Sequence, residues 1–216
     1  MKPTYSDRQI SLVFDNFVER VLMSNSLHDV ALHGGAHEKA VEKIFHSVLS
    51  SQLSEDTVVR QQSTYYDGRR KIHDIVVTHK NQRIAVIEVK SIFTDPGGIS
   101  SKTGKGKGLE KDMQSLKLAL DIGIPNSYEL VALFECFPVN KSKPINVSDS
   151  RIQWQRMQNY NPIEAEQKVN GALDRLSQGQ GLRAKRIKGW QKVELPNPRP
   201  NIRAFIDCAL YKVQLR

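Results

Sequence analysis

The sequence predicts an α/β fold with a mixed central β-sheet flanked by helices. Segments of helical periodicity alternate with short apolar runs rich in β-branched residues. Three β-rich runs within 58–93 follow one another across short polar turns, the pattern of an antiparallel meander. A helical segment, 109–123, then separates two buried runs, 83–93 and 128–137, which is the connection that neighbouring parallel strands require.

Residues 8–23, RQISLVFDNFVERVLM, place Ile10, Val13, Phe14, Phe17, Val18 and Val21 at helical spacing, and Ser24-Asn25-Ser26 stops the helix. A second helix is expected over 36–49, entered through Gly34-Gly35, with Ala40, Val41, Ile44, Phe45, Val48 and Leu49 as its apolar stripe. The extended segments are 58–66, 71–79 and 83–93, with Asp67-Gly68 and Lys80-Asn81-Gln82 as turns. Residues 94–108, TDPGGISSKTGKGKG, are too polar and glycine-rich for regular structure. A helix over 109–123 ends at Gly123, and a buried strand follows at 128–137. Residues 140–162 read as irregular, 163–179 as a helix, and 193–195 and 202–215 as extended structure around the turn PNPRP.

The chain of 216 residues suits a single domain able to bury a core unaided. No run approaches the ~18 apolar residues of a membrane span, so no membrane partner is expected. The first residues carry an early acid and no sustained apolar core, unlike a signal peptide. Cys136 and Cys208 lie inside apolar runs, as small buried residues rather than a disulfide, and a cytoplasmic location is the default expectation. The net charge of +9 favours a polyanionic partner, most simply nucleic acid. Basic residues cluster at Arg69–Lys71, around the glycine-rich loop (Lys102, Lys105, Lys107, Lys111), and at Arg183, Lys185, Arg186 and Lys188. These clusters either line one groove or are solvated loops of a basic protein.

The chemistry-bearing stretch is IAVIEVKSIF, 84–93. Its first half is apolar, and Glu88 and Lys90 then follow on one strand face. The hairpin before it brings Asp74, in KIHDIVV, beside Glu88. Two carboxylates held close repel unless a proton or cation separates them. Mg2+ takes oxygen ligands and keeps several waters, polarises a phosphoryl oxygen and lowers the pKa of bound water. A lysine beside it orients that water, or deprotonates it if its own pKa is depressed. The plainer reading is an exposed ion pair on an edge strand, worth about 0.5 kcal/mol, but two charges in a buried strand require a purpose.

Asp74, thirteen intervening residues, and then Glu88-Val89-Lys90 resemble the PD-(D/E)XK nuclease superfamily. The order helix, strand with Asp, strand with Glu-X-Lys, helix, strand fits the same superfamily over about 34–137. The resemblance implies a restriction-endonuclease-like fold with a nuclease core at 34–137. An N-terminal helical segment at 1–33 and a C-terminal elaboration at 138–216 would serve DNA recognition or dimerisation. It implies that Asp74, Glu88 and the main-chain carbonyl of Val89 bind Mg2+ (Mn2+ is possible) and that Lys90 positions the attacking water. It also implies a catalytic helix carboxylate near the metal, Glu38, with Glu42 one turn later as the rival that the sequence does not decide against. Gln114 falls where many members carry a polar residue near the phosphate. The namesake proline is His73 here, expected on the strand face opposite Asp74 and not required for catalysis. The expected activity is Mg2+-dependent cleavage of double-stranded DNA, most like a small type II restriction endonuclease acting as a homodimer. A repair, recombination, junction-resolving or phage-defence nuclease is the alternative, and an inactive nucleic-acid-binding relative is the next.

His28, His33, His37 and His46 lack zinc-ligand spacing and read as ordinary surface or core residues. KTGKGKG is not a P-loop; it is either a phosphate-touching arm or a solvated loop. Trp154, Tyr160 and Trp190 interleave with basic residues and read as packing residues before base-stacking ones.

Overall fold

The computed structural model describes residues 6–24, 27, 37–53, 57–66, 69–93, 105–138, 162–196 and 202–216. Among them are four helices, α1 (Asp7–Leu22), α2 (His37–Gln52), α3 (Lys105–Asp121) and α4 (Pro162–Gly179). The six strands are β1 (Thr57–Tyr66), β2 (Arg69–His79), β3 (Gln82–Phe93), β4 (Asn126–Pro138), β5 (Leu182–Glu194) and β6 (Ile202–Leu215). They form one mixed sheet in the order β1-β2-β3-β4-β6-β5, with β3 and β4 parallel and every other pair antiparallel.

Helices cover both sheet faces because the strands bury both. On one face α1 and α2 meet Ile75, Val77, Ile87, Val89 and Leu130 through Phe14, Phe17, Val41 and Phe45. Phe17 and Phe45 pack edge to face, 5.3 Å between ring centroids, each burial contributing about 2–3 kcal/mol. On the other face α3 and α4 set Leu109, Met113, Leu116, Val169 and Leu173 against Val76, Val86, Ile92, Val131 and Val213.

Local signals explain the boundaries. Ser6 and Gln9 form a capping box at the start of α1. Lys80 and Asn81, with φ of 45° and 65°, make the tight β2–β3 hairpin turn. Gly123, with φ of 84°, closes α3, and Ile124 N–H reaches back to Ala119 O at 3.0 Å.

Two expectations are corrected. Lys105–Gly108 are the first residues of α3 rather than loop. The segment expected as an elaboration supplies two of the six strands, and β6 lies between β4 and β5, so it completes the sheet. β5 contains the basic run RAKRIKGWQK, whose charges hide a strand from the sequence pattern; it is an edge strand, where exposed Lys and Arg are tolerated and discourage further pairing.

Residues 94–104 and 139–161 lie outside the described residues, and with them Lys102, Trp154 and Tyr160. Gly34, Gly35, His28 and His33 lie outside them too, as do the side chains of Lys105, Lys107 and Cys136. Cys208 is a free buried thiol. No helix among the described residues is long and apolar enough to cross a membrane.

Candidate active site

The site forms where two neighbouring strands part. β2 and β3 pair from His79↔Gln82 to Ile75↔Ile87 and no further. Beyond that point β2 continues against β1 alone, as far as Tyr66↔Arg69, and β3 continues against β4 alone. Asp74 and Glu88 occupy the first positions of this fork, and their carboxylates replace the missing ladder. Val89 N–H donates to Asp74 Oδ2 at 2.9 Å, and Asp74 N–H reaches Glu88 Oε2 at 3.4 Å.

Glu88 is only 3% exposed and is held from the side. His73 Nδ1 lies 2.8 Å from Glu88 Oε1, Ser115 of α3 donates to the same oxygen, and Thr64 Oγ1 lies 2.8 Å from His73 Nε2. Burial, then Lys71 and Arg83, lower the His73 pKa to about 4, so the ring is neutral with one N–H. With Nδ1 donating to Glu88, Nε2 accepts the Thr64 hydroxyl and every group is satisfied. His73 and Asp74 do point to opposite faces. It is His73, however, that meets α3 through Ser115, while Asp74 faces Gln61 and, through it, α2.

Gln61, opposite Asp74 in β1, has φ of 53°, a left-handed conformation costing roughly 1–2 kcal/mol for a residue with a Cβ. Its amide donates to Asp74 Oδ1 at 3.2 Å and to Glu42 Oε2 at 3.1 Å. Arg60 Nε also donates to Glu42, at 2.8 Å. Glu42 is thereby tied to Asp74 through a side-chain bridge. Glu38, one turn earlier, reaches the fork from the other side: its Oε2 lies 2.7 Å from Lys90 Nζ and accepts from Ser91 N–H at 3.3 Å. The ambiguity between the two glutamates resolves into two places, Glu38 on Lys90 and Glu42 behind Asp74.

Lys90 lies among carboxylates. Asp112 Oδ2 of α3 is 3.3 Å from its ammonium. Gly108, one turn before Asp112, leaves the room it occupies; a Cβ there would stand 3.3 Å from Lys90 Cε. Glu129 of β4, cross-strand from Glu88, is 0% exposed with neither carboxylate oxygen hydrogen-bonded. Burial alone would lower the Lys90 pKa, but Asp112, Glu38 and Glu129 more than reverse that and hold it raised. With its pKa raised, Lys90 stands as an ammonium among these carboxylates.

The carboxylates carry the opposite strain. Burial, then Glu88, push Asp74 up to about 7. Burial pushes Glu88 up to about 7 against its hydrogen bonds. Asp112 rises to about 7 because burial, with Glu88 and Asp74, outweighs its pairing to Lys90. Burial, then Asp112, raise Glu129 well above the ordinary range.

This donor set fits an open Mg2+ site. Among the described residues no three His, Cys, Asp or Glu side chains enclose an ion, and Mg2+ needs no such cage, since it keeps waters and takes one or two carboxylates with substrate phosphate. Asp74 and Glu88 stand together at one fork beside the Val89 main chain, the oxygen donors that such an ion would take.

Of the expected phosphate-side residues, Lys111 is exposed on α3, and its carbonyl accepts from Lys71 Nζ at 3.5 Å. Gln114 is exposed and lines an outer groove with Glu110, Lys117, Asp121 and Gln180, away from the carboxylates; Ser115, its neighbour, is the α3 residue that touches Glu88. Arg183, Lys185, Arg186 and Lys188 lie on β5, three strands from β3, or about 14 Å across the sheet. Lys188 is paired with Asp15 at 2.7 Å, so that cluster is separate from the fork. His46 Nε2 lies 3.1 Å from Val58 O, His37 packs edge to face on Phe134, and Trp190 packs against the α3–α4 core.

Thr64, Gln61, Asp112, Ser115 and Glu129 carry no motif, and His73, at the motif's proline position, was not expected to hold Glu88. Two features of the sequence touch some of them without singling them out. Gly108, Asp112 and Ser115 share the i, i+4, i+7 spacing of one helix face. Glu129, like Glu88, is a charge inside an apolar strand. Compared with known proteins, the chain matches no protein family, no curated protein and no solved structure.

Proposed function

We propose that this chain is a metal-dependent endonuclease of the PD-(D/E)XK type, with a restriction-endonuclease-like fold, hydrolysing DNA phosphodiester bonds at the β2–β3 fork. The observation that carries the reading is the fork itself: Asp74 and Glu88 stand together there, both pushed up to about 7 by burial and Asp74 further by Glu88, beside the Lys90 ammonium. Asp74, Glu88 and the Val89 carbonyl would hold Mg2+, or Mn2+, which when bound polarises the phosphoryl oxygen and lowers the pKa of a bound water.

The chain's own groups do the rest. His73 and Ser115 fix Glu88 Oε1, leaving Oε2 toward the fork. Gln61 and Val89 N–H fix Asp74. Lys90, kept protonated and steered by Glu38 and Asp112, orients the attacking water and offsets negative charge that grows on the phosphate oxygens. Within that type, a small type II restriction enzyme working as a homodimer would cut both strands.

The test is digestion of closed circular duplex DNA with Mg2+, alongside EDTA and Lys90→Ala. Discrete fragments that vanish in both controls support restriction. Nicking or branched-substrate cleavage with the same dependence moves the role to repair, recombination or defence. No cleavage of duplex, single-stranded or branched DNA with either metal contradicts the reading.

A further inference from the structure

Past the fork, β1 and β2 run on as a two-stranded ribbon that β3 has left. Its two faces differ. Thr64, Lys71 and His73 turn toward α3, where Lys71 meets the Lys111 carbonyl and His73 meets Ser115. The opposite face carries Gln61 and Asp74, then Ser63 and Ile72, then Tyr65 and Arg70, in register. It is a continuous track that starts at the Asp74 carboxylate and reaches Arg70 about 13 Å further out. Tyr65 is 69% exposed and Ile72 45% exposed, and Arg70 is exposed beside them with one guanidinium N–H bonded to Ser63 Oγ at 2.8 Å.

This face thus exposes a large aromatic, an isoleucine and an arginine together. Residues 63–72 hold Arg69, Arg70 and Lys71 against the single acid Asp67, in a chain of net charge +9. Lys111 of α3 adjoins the same ribbon, its carbonyl 3.5 Å from Lys71 Nζ. The charge complements a polyanion, and a two-stranded ribbon fits the width of a major groove.

We infer that the β1–β2 ribbon is the arm that holds duplex DNA, with Arg70 on the phosphates and Tyr65 and Ile72 against the groove, delivering the backbone to the fork. This rests on the nuclease reading, and the test separates the two. Duplex binding is followed by fluorescence anisotropy with Ca2+ replacing Mg2+, using a random-sequence oligonucleotide, for wild type, Arg70→Ala, Tyr65→Ala and Tyr65→Phe. Arg70→Ala is expected to weaken binding about tenfold and to lower the slope of log K against log salt by about one. Tyr65→Ala is expected to weaken binding at every salt, and Tyr65→Phe to bind as wild type. A photo-crosslinking residue at position 65 should join the duplex, a readout that holds even if an alanine variant melts early. Wild-type binding and cleavage with unchanged variants and no crosslink would overturn the ribbon and leave the nuclease standing. No binding and no cleavage by wild type would overturn both. Variants that dissociate a dimer while binding DNA normally would assign the surface to a second copy of this chain and overturn the inference.

Discussion

Asp74 is a carboxylate held where its charge is costly. Its pKa of about 7, like those of Glu88 and Asp112, means the folded chain keeps protons that the unfolded chain sheds near pH 4. Stability from these groups is complete below the ordinary carboxylate pKa and is lost as pH rises toward 7. His73, lowered to about 4, works the other way between pH 4 and 6.5, but it is one group against three. Without metal, the melting temperature is expected to fall between pH 5 and pH 7.5. Asp74→Asn removes one of the repelling charges and is expected to raise the melting temperature at pH 7.5 by about 2–4 °C for each kcal/mol gained, while abolishing cleavage. Lower stability at pH 7.5 would contradict this. Lys90→Ala should do the reverse, leaving Glu38, Asp112 and Glu129 without their cation and destabilising the fold by about 2–4 kcal/mol, more at pH 7.5 than at pH 5, as read by urea melts.

At the level of elements, α3 both roofs the site and fixes Lys90. Gly108→Ala tests this. Alanine gains helix propensity of about 1 kcal/mol, yet its Cβ would press on Lys90 Cε at 3.3 Å. The expected variant melts no lower than wild type and cleaves more slowly at unchanged KM; unchanged turnover would count against the placement of Lys90. Deleting 197–216 removes β6, the strand that joins β5 to β4, and is expected to give insoluble or unfolded protein by far-UV circular dichroism. A folded, active truncation would mean the tail is an appendage after all. The meander, the crossover helix and the parallel β3–β4 pair were legible because hydrophobic period and turn residues agree there. β5 was not, because an edge strand buries little and RAKRIKGWQK shows charge before it shows alternation. The start of α3 was not, because Lys105-Gly-Lys-Gly has poor helix propensity.

Across the whole molecule, charge is divided by place. Carboxylates collect in the fork, while Arg70, Lys71 and Lys111 stand at its edge and a second basic strand occupies the far side of the sheet. Asp74, Glu88 and Lys90 were legible because charges in a buried strand are conspicuous and their spacing is tied to one hairpin. Ser115, Asp112 and Glu129 were not, because which face of α3 lies over β3 and β4 depends on the packed sheet. The nuclease reading requires that Asp74 and Glu88 take Mg2+. The direct measurement is a calorimetric titration of Mg2+ into the protein at pH 7, in two buffers of different ionisation enthalpy, beside Asp74→Asn. Saturable uptake with release of protons is expected of wild type and none of the variant. No uptake, or equal uptake by Asp74→Asn, would contradict it.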